Sequence, residues 1–223
     1  MNIIEYPDRD ILVMGLADRL ASELESCLLR HDHASFSVPG GTSPGPVFDL
    51  LSNAGHIDWA RVHVMLNDER WVPESSERSN GALVRRRLLT GKAAAGRFLP
   101  FYVEGKTPKE AAGDLAETLV PEMPISVLLL GMGADMHTAS LFPGSDGLTA
   151  GLAPDAPILV PIHAEGQEPR ISLSARALDG AMSKHLLIFG DEKRAALERA
   201  RDLPPEEAPI AAVLSDITVH WSE

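Results

Sequence analysis

The chain has 223 residues, 44% hydrophobic and 23% charged, an ordinary balance for one α/β domain with a sizeable core. Twenty Lys and Arg against 32 Asp and Glu give a formal net charge of −12, which argues against nucleic acid or an anionic membrane as a partner and requires any anionic substrate to be caught by a local basic site. The single cysteine, Cys27, excludes a disulfide framework and fits a reducing compartment. The N-terminal MNIIEYPDRD has no signal-peptide pattern, and no apolar run approaches ~18 residues, so the expected setting is the cytoplasm with no membrane span.

No internal repeat or long low-complexity tract breaks the chain. The Pro- and Ala-rich stretches Ala150–Pro157 and Asp202–Pro209 read as linkers too short to bound domains, so a single domain over residues 1–223 is expected. Apolar residues from Ile11 to Leu28 recur at helical spacing and predict a helix over Asp10–Arg30. A short strand, Ala34–Val38, runs into Pro39-Gly40-Gly41, and a short helix follows at Pro46–Ser52. Val62–Leu66 is the next strand and ends at the charged turn Asn67-Asp68-Glu69-Arg70; Asn80–Leu89 reads as helix. Thr107-Pro108-Lys109-Glu110 is a capping box with Pro at the first helical position, opening a helix to about Val120. Ser126–Leu130 is almost wholly apolar, as in a strand covered on both faces. Ile158–Pro161 and Arg170–Leu173 are weaker strands, and His185–Phe189 is a strong one followed by a helix over Asp191–Arg201. Ala211–Leu214 and Ile217–Trp221 close the chain. Strands alternating with helices predict a mostly parallel, Rossmann-like sheet with helices on both faces, which binds ligands beyond the C-terminal ends of its strands.

Three polar, Gly-rich segments follow the best strands. Pro39-Gly40-Gly41-Thr42-Ser43-Pro44 offers backbone amides and two hydroxyls to an anion, although an ordinary βα turn has the same composition. It is not a nucleotide loop. Gly105-Lys106-Thr107 ends like a P-loop but has Pro100 in place of the first Gly; Gly131-Met132-Gly133 begins like a dinucleotide fingerprint but has Met136 in place of the third. In Asn67-Asp68-Glu69-Arg70, the arginine fork suits a carbonyl or phosphate, and the apolar Trp71, Val72 and Pro73 argue against a merely solvated turn. Arg78-Ser79-Asn80 adds polar groups and a helix cap. Gly131–Gly144 places Asp135 two residues before His137, a base and its orienting carboxylate at a strand end. A serine hydrolase using Ser140 is the competitor, but there is no G-x-S-x-G elbow. His31 and His33 follow Cys27 at a helix end without a second ligand cluster, so no metal site is expected, and His56, His63, His163, His185 and His220 are isolated in sequence. Arg170 and Lys193 are either surface cations or the completion of an anion site.

Taken together, SVPGGTSP (Ser37–Pro44), NDERWVP (Asn67–Pro73) with Ser79-Asn80, LLLGMGADMHTASLFPGS (Leu128–Ser145), RISLS (Arg170–Ser174) and GDEKR (Gly190–Arg194) resemble the 6-phosphogluconolactonase family in order and over most of the chain. That family shares its fold group with glucosamine-6-phosphate deaminases and ribose-5-phosphate isomerases. The resemblance implies hydrolysis of 6-phospho-D-glucono-1,5-lactone to 6-phosphogluconate, with no metal or organic cofactor, in a monomer or small homo-oligomer. It implies His137 as general base, Asp135 to position it, and Arg70 to stabilise the oxyanion or hold substrate. Gly40, Gly41, Thr42, Ser43, Asp68, Arg170 and Lys193 would bind the substrate. Two positions depart from the family: Thr42-Ser43 stands for the commoner Ser-Thr, and Met136 for a Gly that would serve a positive φ or close substrate approach. Two other readings are an isomerase or deaminase of the same fold group and a non-enzymatic sugar-phosphate sensor. Asp68-Glu69-Arg70 and Leu141-Phe142-Pro143 favour the lactonase over a deaminase, and no basic helix-turn-helix precedes Ala34 to suit a sensor.

Overall fold

A computed structural model describes residues 1–223. Strand β1 (Asn2–Glu5) leads into helix α1 (Arg9–Leu28), whose N-terminus is capped by Asp8 accepting from the Ile11 amide at 2.8 Å. Leu12, Leu16, Leu20 and Leu24 line one fully buried face of α1, four residues apart. Then come β2 (Ala34–Val38), α2 (Gly45–Leu51), β3 (Val62–Leu66), β4 (Asp68–Arg70), α3 (Asn80–Arg87), β5 (Arg97–Leu99) and α4 (Pro108–Leu119). The second half holds β6 (Val127–Gly131), α5 (Leu148–Leu152), β7 (Leu159–Ile162), β8 (Arg170–Leu173), α6 (Ala175–Asp179), β9 (Ser183–Phe189), α7 (Asp191–Ala200) and β10 (Thr218–Ser222).

Seven strands form one sheet in the order β1-β10-β9-β6-β2-β3-β5, with every pair parallel. All five residues of β2 and the first four of β6 are buried, as two-sided burial requires. From β2 the chain steps outward to β3 and β5; from β6 it steps the other way to β9 and β10. The crevice between the C-terminal ends of β2 and β6 is therefore the topological switch point, where such sheets place their ligands. A single cluster of 55 buried apolar residues, running in sequence from Leu12 to Val219, forms the core. No helix is long and apolar enough to cross a membrane.

The structure departs from the sequence reading at the periphery. The edge strands β1 and β5 are short and were not anticipated. The stretch Asp68–Arg70, expected as a turn, is a strand: it pairs antiparallel with β8, and β8 pairs with β7, to give a second, three-stranded sheet. The supposed linker at Ala150–Pro157 begins inside α5, and Ala211–Leu214 falls mostly in a 3-10 turn, Pro209–Val213. The Thr107 capping box forms as expected, with Glu110 accepting from the Thr107 amide at 2.8 Å.

Candidate active site

The polar loops at the switch point close around a cavity of about 280 Å³, near the low end for small-molecule sites. Its wall includes Gly40, Gly41, Thr42 and Ser43 from the loop after β2, Asp68 and Arg70 from β4, His137 from the loop after β6, Arg170 from β8 and Lys193 from α7. Every proposed substrate-binding residue thus lies on one cavity, together with two of the three proposed catalytic residues. The third, Asp135, sits behind His137.

Each loop is shaped by identifiable contacts. Gly41 has φ +86, the left-handed region that favours glycine. Gly40 is required by close approach, because a Cβ there would overlap the Asn80 amide group. Asn80 is in turn fixed by donating to the Asp68 carbonyl at 2.8 Å, and it lines the cavity as well. Asn67 is fully buried and bolts three strand ends together: it accepts from Ser37 Oγ at 2.7 Å and donates to the Leu129 carbonyl at 2.7 Å.

The four charged or acidic neighbours on β4 and β8 have separate tasks. Glu69 is 2% exposed and accepts from the Asn80 amide (2.7 Å), the Gly81 amide (2.8 Å) and Ser79 Oγ (3.0 Å). Burial pushes its pKa up, against the pull of those amide bonds. Its oxygens are used to cap α3, so it serves the fold and not the cavity. Asp68 accepts from Ser140 Oγ and lies 3.7 Å from Arg170 Nη1. Arg70 donates from Nη1 to the Arg78 carbonyl at 2.6 Å. Arg170 donates from Nη2 to Gln167 at 2.7 Å and lies over the Phe142 ring at 5.0 Å. Burial draws the Arg170 pKa down, partly offset by the Asp68 charge. Lys193 lines the cavity, whereas its neighbour Arg194 is tied to Glu5 and lies 4.4 Å over Trp221.

His137 is held by its own loop. The Gly133 amide donates to the His137 carbonyl at 3.0 Å, and a Cβ on Gly133 would overlap both the His137 ring and the Asp135 carboxylate. His137 Nδ1 lies 2.5 Å from Asp135 Oδ1, and the ring packs at 4.4 Å on Phe142. With Nδ1 occupied, Nε2 is the nitrogen left to exchange a proton. The hydrogen bond from His137 keeps the Asp135 carboxyl below its usual range, against the opposing effect of burial. Met136, where a Gly was expected, has φ 65, so the loop does demand a left-handed residue there. Ser140 is fully buried, with its hydroxyl donated to Asp68 and its amide bonded to Ser172 Oγ at 3.2 Å. It has no histidine partner and lies outside the cavity wall, which removes the serine-hydrolase reading. Asn67, Asn80 and Ser140 position the site through contacts that motif reading does not anticipate: it offers Ser140 only as a nucleophile, and Asn80 only as an added polar group and helix cap.

A family model described as glucosamine-6-phosphate isomerases/6-phosphogluconolactonase matches residues 7–221. A 6-phosphogluconolactonase of Mesorhizobium japonicum is 41% identical, the match covering 97% of this chain and 93% of that one. One from Pseudomonas aeruginosa is also 41% identical, over 93% of this chain and 89% of its own. The crystal structure of a 6-phosphogluconolactonase from Shewanella baltica superimposes with a TM-score of 0.95 at 32% identity, covering 100% of this chain and 98% of that one.

Proposed function

The chain belongs to the glucosamine-6-phosphate isomerase/6-phosphogluconolactonase family, and from that premise we propose that it hydrolyses 6-phospho-D-glucono-1,5-lactone to 6-phospho-D-gluconate in the oxidative pentose phosphate pathway. The observation that carries the reading is convergence: three cations, Arg70, Arg170 and Lys193, share one cavity with a carboxylate-paired histidine in a chain of net charge −12. A dianionic substrate needs such local focusing to approach an acidic protein.

Hydrolysis requires a base for water, charge stabilisation for the tetrahedral intermediate and an acid for the leaving ring oxygen. His137 Nε2 takes a proton from water as the hydroxide oxygen bonds to the lactone carbonyl carbon. Arg70 stabilises the resulting oxyanion. The bond to the ring oxygen then breaks, and His137 returns the proton to that oxygen. Asp135 keeps the ring oriented and steadies the imidazolium. The phosphate lies against the Gly40–Ser43 amides and hydroxyls, Arg170 and Lys193, while Asp68 orders Arg170 and the sugar end. No step calls for a metal or organic cofactor. The working unit is a single domain, as a monomer or small homo-oligomer in the cytoplasm, with no nucleic-acid partner.

The test is a coupled assay. Fresh 6-phosphogluconolactone, followed by 6-phosphogluconate dehydrogenase and corrected for spontaneous hydrolysis, should show catalysis. Ammonia release from glucosamine 6-phosphate with no acceleration of lactone hydrolysis would replace this reading with the deaminase.

A further inference from the structure

At the opposite end of the sheet, below the N-terminal ends of β2, β3 and β6, three metal-binding side chains converge. His33 immediately precedes β2, His63 is the second residue of β3, and Glu122 ends the 3-10 turn Val120–Glu122 that leads toward β6. Their ligand atoms all lie within 4.8 Å of one another. His63 Nδ1 is 2.9 Å from Glu122 Oε1 and 3.1 Å from Oε2, and His33 Nε2 is 3.2 Å from Oε2. The two imidazoles stack at 4.4 Å with 18° between their planes, and a nitrogen of each lies near the same carboxylate oxygen, Oε2 of Glu122.

We propose that His33, His63 and Glu122 form a binding site for a divalent transition metal of zinc type, remote from the catalytic cavity. The donor set is the two-imidazole, one-carboxylate combination that zinc accepts, with a fourth position left for water. Ligand atoms around tetrahedral zinc stand roughly 3.3 Å apart, by the bond lengths typical of such sites, and the three contacts to Glu122 are already near that spacing. A buried carboxylate needs a compensating positive partner, and the Glu122 side chain is only 3% exposed. Two imidazolium rings stacked face to face would repel, whereas one dication satisfies both rings and the carboxylate together. Each ring then carries its proton on the nitrogen that faces away, Nδ1 of His33 and Nε2 of His63. Glu122 is held from its backbone, its carbonyl accepting from Ser35 Oγ at 2.8 Å, so the carboxylate is presented from a fixed position. The His33 side chain, 35% exposed, leaves a solvent path to the site. The negative net charge of the chain favours cation capture. A bound ion would tie the approach to β2 to β3 and to the turn before β6, at the end of the sheet that carries no chemistry.

The full chain, stripped with chelator and dialysed, is titrated with zinc chloride by calorimetry and with cobalt chloride by visible absorption. One tight equivalent per chain is expected, with a tetrahedral-type cobalt band and a zinc-dependent rise in Tm. His33→Ala and His63→Asn should each weaken that equivalent at least by the roughly 10–100-fold that loss of even an outer partner costs. His33→Ala should keep the metal-free Tm and the lactonase rate. Absence of a tight equivalent in the wild-type chain overturns the proposal, as does an equivalent that His33→Ala and His63→Asn bind as well as wild type.

Discussion

Arg70 and Arg170 are direct cross-strand partners in the antiparallel pair of β4 and β8, and the Nε of each is buried without a hydrogen-bond partner. Residues opposite each other in such a pair project from the same face, and like charges there are destabilising. The pairing sets two like charges side by side on the cavity wall, where an anionic substrate would offset their repulsion. Arg170→Met is therefore expected to cost roughly 2–5 kcal/mol of kcat/KM toward the phosphorylated lactone, the range for losing one partner of a desolvated charge contact. The protein should meanwhile stay folded. Steady-state kinetics beside thermal unfolding checks both halves; an unchanged kcat/KM would take Arg170 out of the site.

Lys193 gives a sharper test of where the phosphate lies. Lys193→Ala should raise KM for 6-phosphogluconolactone far more than KM for unphosphorylated gluconolactone, because only the first presents the dianion. Equal increases for the two substrates would show that Lys193 reads some other part of the sugar.

The strained loop position can be isolated with two substitutions. Met136 holds φ 65 while its side chain packs on the core. Met136→Gly removes both the strain and the packing; Met136→Ala removes only the packing. The glycine variant is expected to be the more stable of the two, by about 1 kcal/mol, since a non-glycine residue in this region costs roughly 1–2 kcal/mol and glycine returns part of that as lost chain entropy. Urea unfolding of both variants decides it, and an alanine variant at least as stable would mean the loop is unstrained.

What the sequence disclosed and what it hid divide along physical lines. The Gly-rich turn, the Asp135–His137 pair and the central strands are local features, visible in spacing and composition. Lys193 was legible through its place at the start of a helix after a strong strand. Asn67, Glu69 and Ser140 were not, because their roles are set by partners far away: Asn67 donates to Leu129, Glu69 caps α3 from the far side of a loop, and Ser140 donates to Asp68. The DER segment reads as a turn because three residues are too few for a strand signal, and its pairing with β8 depends on contacts a hundred residues apart. Of the histidines that stand isolated in sequence, His63, His185 and His220 gain side-chain partners in three dimensions. His185 Nδ1 meets His220 Nε2 at 3.0 Å, and Glu23 and the Tyr6 hydroxyl close the two ends of that chain.

That buried chain predicts acid sensitivity. Burial, reinforced by the proximity of His185, pushes His220 down to about 3 from 6.5. The folded state thus holds His220 neutral while the unfolded chain protonates below pH 6.5. Stability is complete above that value and is lost progressively as pH falls from 6.5 toward 3. At pH 5 the loss from this one group is about 2 kcal/mol, from 1.5 units at 1.36 kcal/mol each. His220→Gln, which cannot titrate, should flatten the fall in unfolding free energy between pH 6.5 and 5. A variant with the wild-type slope would place the acid sensitivity elsewhere.

The last expectation concerns His137. Its ring is held by Asp135 at Nδ1 and by Phe142 at its face, and the residue lines the cavity, which leaves Nε2 as the nitrogen to exchange a proton with substrate or water. A general base so placed contributes about 10²–10⁴-fold, and His137→Gln should lower kcat by that factor. Glutamine keeps volume and hydrogen bonding but cannot accept a proton at neutral pH, so a packing role and a chemical role separate. Product affinity should change little, because the proposed mechanism gives the phosphate to other residues. Asp135→Asn should lower kcat by less, since an amide oxygen still accepts from Nδ1 while the charge that steadies the imidazolium is gone. Every rate has to be corrected for the spontaneous opening of the lactone, which quickens as pH rises. A folded His137→Gln enzyme with near wild-type kcat would end the general-base assignment. Glu69 would not inherit it, because its oxygens are committed to the start of α3; the role would pass to Asp68, the one carboxylate on the cavity wall.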